Sequence, residues 1–205
     1  MIFVKPLLGC AASALLWSCL AVPQQVDHLA TAQVASDFDT YSLGRVGLIP
    51  FAGLGMNNDQ ASAFQQAFFA EFSGNTPYEV VPLKPTDLAE VARSEPYRRG
   101  LYRTRTIIDI VRRFQLDGLL IGTVTSWHPF SPQRLSVQVD LVAAETGMVI
   151  WSSSVHLDAS DKAVRDNLRA WYDTHPGEPG ETWELALLSP RRFIRFAAWQ
   201  MARLL

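Results

Sequence analysis

The sequence predicts a mixed α/β fold in one domain, with strands and helices alternating first and an antiparallel meander following. Three observations carry this. The apolar run Arg45-Val46-Gly47-Leu48-Ile49-Pro50-Phe51 reads as a buried strand, and the helical stretch after it sets Phe64, Ala67, Phe68 and Phe72 on one face of a 3.6-residue repeat. Leu135, Val137, Val139 and Leu141 alternate with Ser136, Gln138 and Asp140, the period of an antiparallel strand with one wet face. Glu145-Thr146-Gly147 then supplies a tight turn, with glycine where positive φ is easiest, into a return strand over residues 148–157.

The remaining elements fall around these. Asp59 is placed to cap the first helix, residues 60–73, and Gly74-Asn75 to stop it. Residues 78–83 form a second strand, with Pro82 marking its end or an edge position. Residues 86–92 read as one or two helical turns, broken over 94–100. Thr104 or Thr106 opens a helix through Phe114, with Ile107, Ile108, Val111 and Phe114 inward, and Asp117-Gly118 turns into a third strand over 119–127. After the meander come a helix over 161–172, a Pro/Gly loop over 174–180, and a closing helix begun by Ser189-Pro190, an N-cap followed by proline at the first helical position. Phe193, Ile194, Ala197, Met201 and Leu204 give the closing helix its apolar face. The sum is a mixed sheet with a β-α-β-α opening, a three-stranded antiparallel meander and C-terminal covering helices.

The first 22 residues have the plan of an export signal: Lys5 supplies a basic end, a short apolar run follows, and Leu16-Trp17-Ser18-Cys19 resembles a lipobox, at whose cysteine bacterial enzymes attach lipid. Leu7-Leu8-Gly9-Cys10 is a second candidate, with a short apolar core before it. A plain secretory cut after Ala21, or an uncleaved anchor over residues 6–22, are the alternatives, and all three carry the body out of the cytosol. Cys10 and Cys19 are the two cysteines of the chain, so lipidation at Cys19 leaves the body without a thiol for catalysis, metal or disulfide. The domain plan is then signal over 1–22, polar tether over 23–43 and an α/β binding domain over 44–205. Over residues 34–41 a docked strand or short helix stands as the alternative to tether.

A hydrophobic share of 48% in 205 residues suffices for a core without staples. A net charge of −2 argues against general nucleic-acid affinity. Gly53-Leu54-Gly55 sits where a dinucleotide fingerprint would, but Asn58 replaces the third glycine, and a loop ahead of a helix explains it. His28, His128, His156 and His175 include no pair at metal-ligand spacing, no G-x-S-x-G occurs, and the acids are scattered. The sequence therefore calls for no cofactor, metal or catalytic residue.

Two surfaces suit recognition. Arg93, Arg98, Arg99, Arg103, Arg105, Arg112 and Arg113 cluster with Tyr97 and Tyr102, and guanidinium forks match carboxylate or phosphate; a solvated face neutralised by nearby acids is the plainer reading. Trp127, Pro129, Phe130 and Pro132 make a rigid aromatic hairpin tip. Arg191, Arg192, Arg195 and Arg203 on the closing helix allow a membrane-surface helix, though a sheet-covering helix is the commoner case.

Three segments together resemble a bacterial lipoprotein superfamily that includes the curli-secretion component and penicillin-binding-protein activator families. They are residues 45–51 ahead of a loop and helix, LDGLLIGTVT over 116–125, and VDLVAAETGMVIWS over 139–152. In those families a helix ends near a D-x-(I/L)-(I/L)-x-G strand, and a T-G-x-V turn leads to a strand ending near Trp. Asp117, Leu119, Leu120, Gly122, Thr146, Gly147, Val149 and Trp151 occupy those places. The resemblance implies a periplasm-facing, membrane-anchored lipoprotein, with the outer membrane favoured and a soluble periplasmic or secreted form as the alternative. It implies no catalytic residue and an action by binding and recruiting or activating an envelope assembly. Cys19 is then the lipidation site, and the partner-binding candidates are Tyr97, Arg98, Arg99, Tyr102, Arg103, Trp127 and Phe130. Partners are an envelope protein and a membrane reached through the lipid, with a homo-oligomer possible and nucleic acid excluded. A secretion-pore subunit is a second reading, although the chain lacks the extra pair of roughly ten-residue alternating strands that a barrel hairpin needs. An envelope glycan-acting enzyme is a third.

Overall fold

Among the described residues, one seven-stranded sheet joins a parallel half to an antiparallel half. The computed structural model describes residues 28–53, 56–88, 104–177 and 179–205. In chain order these hold β1 (Ala30–Val34), a 3-10 turn (Phe38–Thr40), β2 (Arg45–Leu48), β3 (Ala52–Gly53), α1 (Asn58–Asn75) and β4 (Glu79–Pro82). There follow α2 (Thr104–Phe114), β5 (Gly118–His128), β6 (Arg134–Ala143), β7 (Val149–Asp158), α3 (Lys162–Thr174), α4 (Trp183–Leu188) and α5 (Pro190–Ala202). β2 lies parallel between β4 and β5, whereas β5, β6, β7 and β1 run antiparallel in turn. This is the mixed α/β single domain that the alternation of patterns predicts.

Successive side chains of a strand point to opposite faces, and β5 divides the core accordingly. Leu120 and Val124 join the larger cluster, with Phe64, Phe68 and Phe72 of α1, Leu168 and Trp171 of α3, and Phe193 and Ala197 of α5. Leu119 and Ile121 join a smaller cluster on the other face, with Ile107, Ile110 and Val111 of α2. Helices thus flank both faces, where the sequence pattern points to one covered face. The outer part of the second face, on β6 and β7, is the wet side of the meander: Gln138, Ser154 and His156 are exposed.

Most of the motif residues that carry the family resemblance have a packing or hydrogen-bonding task, whereas Val149 is 50% exposed. The Asp117 carboxylate accepts from the backbone N–H of Gly44 (2.9 Å) and Arg45 (2.8 Å), locking the entry of β2 against β5. At Gly122 an added Cβ would lie 2.2 Å from the Phe51 ring, so glycine is what lets that ring cross the sheet. Gly147 turns the β6–β7 hairpin at φ 66°, and Thr146 Oγ1 accepts from Met148 N–H (3.3 Å). Trp151 is 1% exposed and donates its indole N–H to the carbonyl of Leu204 (2.9 Å), tying β7 to the C-terminus.

Several local expectations are corrected. The cap of α1 is Asn57, not Asp59. Asn57 Oδ1 accepts from Gln60 N–H (2.8 Å) and Gln60 Oε1 accepts from Asn57 N–H (3.0 Å), a reciprocal capping box that leaves Asp59 in the first turn. On α2 Ile110 is fully buried while Ile108 and Phe114 are only half-buried, a rotation of the inner stripe by about one residue. Within residues 23–43, β1 pairs along β7. The closing helix buries Phe193, Ile194, Phe196, Ala197, Ala198 and Met201, which fits the sheet-covering helix that its sequence already favours over a membrane-surface one. Among the described residues no helix is long and apolar enough to cross a membrane.

Candidate partner-binding surface

The β5–β6 hairpin ends in a tip built from two aromatics of different character. Trp127 is half-buried and meets Phe64 of α1 edge-on, with centroids 5.4 Å apart at 83°. That contact fixes the tip against the larger core. Phe130 is 72% exposed, and among the described residues its ring neighbour is His128, with centroids 6.0 Å apart. Behind the tip, Gln133 is fully buried and donates from Nε2 to the carbonyl of Leu187 (2.9 Å), joining the hairpin to α4. Arg134 Nε lies 3.0 Å from Asp158 Oδ2 across the β6–β7 ladder.

An open groove of about 1230 Å³ runs from Trp127 and Pro129 between α1 and the first turns of α5, with Pro179–Glu181 as its outer lip. Ion pairs hold its walls. Arg192 donates from Nη2 (2.8 Å) and Nε (3.3 Å) to the Glu181 carboxylate, a fork that binds the lip to α5. The Glu181 carbonyl in turn accepts from the Tyr172 hydroxyl (2.7 Å). Arg195 Nε donates to Glu71, a carboxylate of α1 that is 4% exposed. Arg192 and Arg195 are therefore engaged within the fold, and Arg191 is the exposed guanidinium of this rim. The groove offers mixed chemistry: an aromatic floor at Phe64 and Trp127, amides at Asn57 and Gln60, and an exposed Leu185 at 52%.

Among the described residues, two groups are perturbed. Burial, then the charge of Asp39, pushes the Tyr78 hydroxyl above its usual 10.0. The Ser160 hydroxyl and backbone N–H, with Arg134 beside them, hold Asp158 below its usual 3.8. Neither group lies in the groove. Among the described residues no three His, Cys, Asp or Glu side chains gather at metal-binding distance.

Of the residues singled out from the sequence, Trp127 and Phe130 come together at one tip, Trp127 facing inward and Phe130 outward. Tyr97, Arg98, Arg99, Tyr102, Arg103 and Cys19 lie outside the described residues. Sequence reasoning missed the groove. Its walls come from segments about 60 to 130 residues apart, and the signal within reach was the charge pattern of α5: Arg192 and Arg195 have their acids on other elements.

No family model and no curated protein matches this chain. Among solved structures, it is similar to a PelC dodecamer from Paraburkholderia phytofirmans at 11% identity and a TM-score of 0.46, covering 84% of this chain and 96% of that one. It is similar also to lipoprotein GNA1162 from Neisseria meningitidis, at 15% identity and a TM-score of 0.44 over 67% of this chain and 99% of that one. The C-terminal domain of LpoB from Salmonella enterica overlaps at 16% identity and a TM-score of 0.38, over 58% of this chain and 87% of that one.

Proposed function

We propose that this chain is an exported envelope lipoprotein, anchored through Cys19, whose α/β body works without catalysis by binding an envelope protein and recruiting or activating it. The observation that carries the binding reading is Phe130, a large aromatic 72% exposed on a hairpin whose base is fixed by Trp127 and Gln133. An exposed aromatic on a fixed hairpin beside a groove is the arrangement of an interface anchor: the backbone that carries it is already ordered before binding, and the ring can fill a partner's pocket. The lipid end then keeps the body near its partner, raising the local concentration. The arginine–tyrosine segment around Tyr97 and Arg98 belongs to the proposal through its sequence alone.

A photo-crosslinker in place of Phe130, in cells producing the full chain, tests this reading. It should trap a discrete envelope protein, while the same group at Glu145, in the turn at the far end of β6, should not. Equal trapping at both positions, or none at Phe130, removes the tip from the proposal. Alanine at Tyr97, Arg98 and Tyr102 tests the second surface by the same capture. Mass spectrometry of the native N-terminus tests the anchor: a lipid-modified Cys19 as first residue is the expected product.

A further inference from the structure

We propose that the outer edge of β1, unpaired among the described residues, is a self-association surface, on which two copies pair antiparallel through Ala30–Val34 about a two-fold axis at Ala32. The proposal concerns the β1 edge of the sheet, no residue of which lines the hairpin-tip groove, and does not depend on the partner-binding reading.

The phase of the β1–β7 ladder identifies the open groups. Ala35 N–H donates to the Ile150 carbonyl (2.9 Å), and the register pairs Gln33 with Ser152 and Thr31 with Ser154. Residues 31, 33 and 35 therefore turn their backbone groups toward β7. Ala30, Ala32 and Val34, one residue out of phase, direct theirs away from the sheet. These groups form a ready template for another strand. Proteins commonly blunt such an edge with Lys, Pro or a bulge. The sequence Ala-Thr-Ala-Gln-Val has none, its pairing to β7 runs without a register shift, and residues 31–34 are exposed on both faces. Val34 is 56% exposed.

The opposite edge is different, and the difference selects the occupant. β4 ends in Pro82, which lacks an N–H, and carries Glu79 paired to Arg45 of β2 at 3.2 Å. A head-to-tail ring or filament would need β4 as the acceptor of β1, and that edge is protected. An isologous pair needs β1 alone. With Ala32 opposite Ala32 of the second copy, Ala30 faces Val34 and Thr31 faces Gln33. The three outward residues of each strand then exchange about six main-chain hydrogen bonds. Small Ala30 leaves room for Val34, and the hydroxyl of Thr31 meets an amide on the other face. No charge faces a like charge along the strand.

The test is the mass of the full chain, in mild detergent, by sedimentation across about 10 µM to 1 mM, the range of a small, weak interface. The unsubstituted chain should shift from monomer to dimer. Ala32→Pro removes an outward N–H and leaves the β7 ladder intact; it should lower association about fivefold or more, with an unchanged circular-dichroism spectrum. Ala32→Lys and Ala32→Glu should each stay monomeric, because like charges meet on the axis, and an equimolar mixture should recover a dimer. Should Ala32→Pro fail to fold, the Lys/Glu pair decides alone. A monomer throughout the range overturns the proposal. So does a dimer that these variants leave unchanged, a ring or filament in place of the dimer, or a Lys/Glu mixture that stays monomeric.

Discussion

Arg195 of α5 donates its Nε to the carboxylate of Glu71 on α1, and the two partners differ sharply in burial: the side chain of Glu71 is 4% exposed, that of Arg195 42%. The acid has been taken out of water and relies on the cation, whereas the cation keeps access to solvent. Removing Arg195 leaves a buried carboxylate with, among the described residues, only the Asn75 amide, 3.4 Å away, to answer it. Arg195→Met should therefore lower stability by about 1–3 kcal/mol, the range for an unmet buried charge softened by the half-exposed partner. Glu71→Gln should cost less, because the amide can donate as well as accept. Urea unfolding of the two single variants and the double variant gives the coupling, expected at about 1 kcal/mol. Zero coupling would show that the contact holds nothing together.

The two aromatics of the hairpin tip should respond oppositely. Trp127→Ala breaks the edge contact to Phe64 and opens the base of the tip, at a cost of about 1–3 kcal/mol for a half-buried ring. Phe130→Ala removes a ring that is 72% exposed and should change stability by less than about 0.5 kcal/mol. Thermal unfolding checks both, and the proposed partner capture should fail in Phe130→Ala although the body stays folded. A large stability loss in that variant would make Phe130 a packing residue.

The meander was legible because its pattern is local. One face of β6 is apolar and the other polar, and the Glu145-Thr146-Gly147 turn sits between two such strands. The phenylalanines of α1 were legible for the same reason: Phe64, Phe68 and Phe72 share one helical stripe and are all buried. β1 was hidden because its inward groups are backbone, and Thr31, Ala32 and Gln33 carry no alternation of hydropathy. The short helix α4 was hidden because six residues cannot show a helical period. The tip could be anticipated from Trp127 and Phe130, but which of them faces outward depends on Phe64, 63 residues away. The groove depends on Arg192 meeting Glu181 and Arg195 meeting Glu71, and long-range ion pairs leave no local signature.

Two glycines show how differently a missing side chain can act. At Gly122 the obstruction is the rigid Phe51 ring, 2.2–2.5 Å from an added Cβ, so Gly122→Ala should destabilise by about 1–3 kcal/mol through overpacking. At Gly177 the obstruction is the flexible end of Glu181, whose Oε2 would lie 1.5 Å from the new carbon, with Arg192 Nη2 at 2.5 Å. Gly177→Ala should therefore cost less than about 1 kcal/mol but displace the Glu181–Arg192 fork. Unfolding midpoints separate the two substitutions, and the guanidinium NMR signal of Arg192 reports the fork. Equal losses of stability would contradict the distinction between ring and side-chain end.

The pH response of the hairpin base turns on Asp158. Its carboxylate accepts from the Ser160 hydroxyl (2.6 Å) and backbone N–H (2.8 Å), and these bonds, with Arg134 nearby, lower its pKa below 3.8. A carboxyl whose folded value is depressed binds its proton more weakly when folded than when unfolded. Its contribution is therefore complete above the unfolded value of about 3.8 and disappears as pH falls through the lower folded value. Ser160→Ala deletes the first of those bonds and should move the Asp158 titration upward, narrowing the gap between folded and unfolded states. Carbon-detected NMR titration of the Asp158 carboxyl from pH about 6 to 2 measures this directly. Above pH about 5 the group is ionised in both states, so the stability difference between the variant and the unsubstituted chain should stay constant there and shrink only on further acidification. An Asp158 titration unmoved by Ser160→Ala would leave the depression to the Ser160 backbone N–H and Arg134, and a rise in Arg134→Gln would then separate these two.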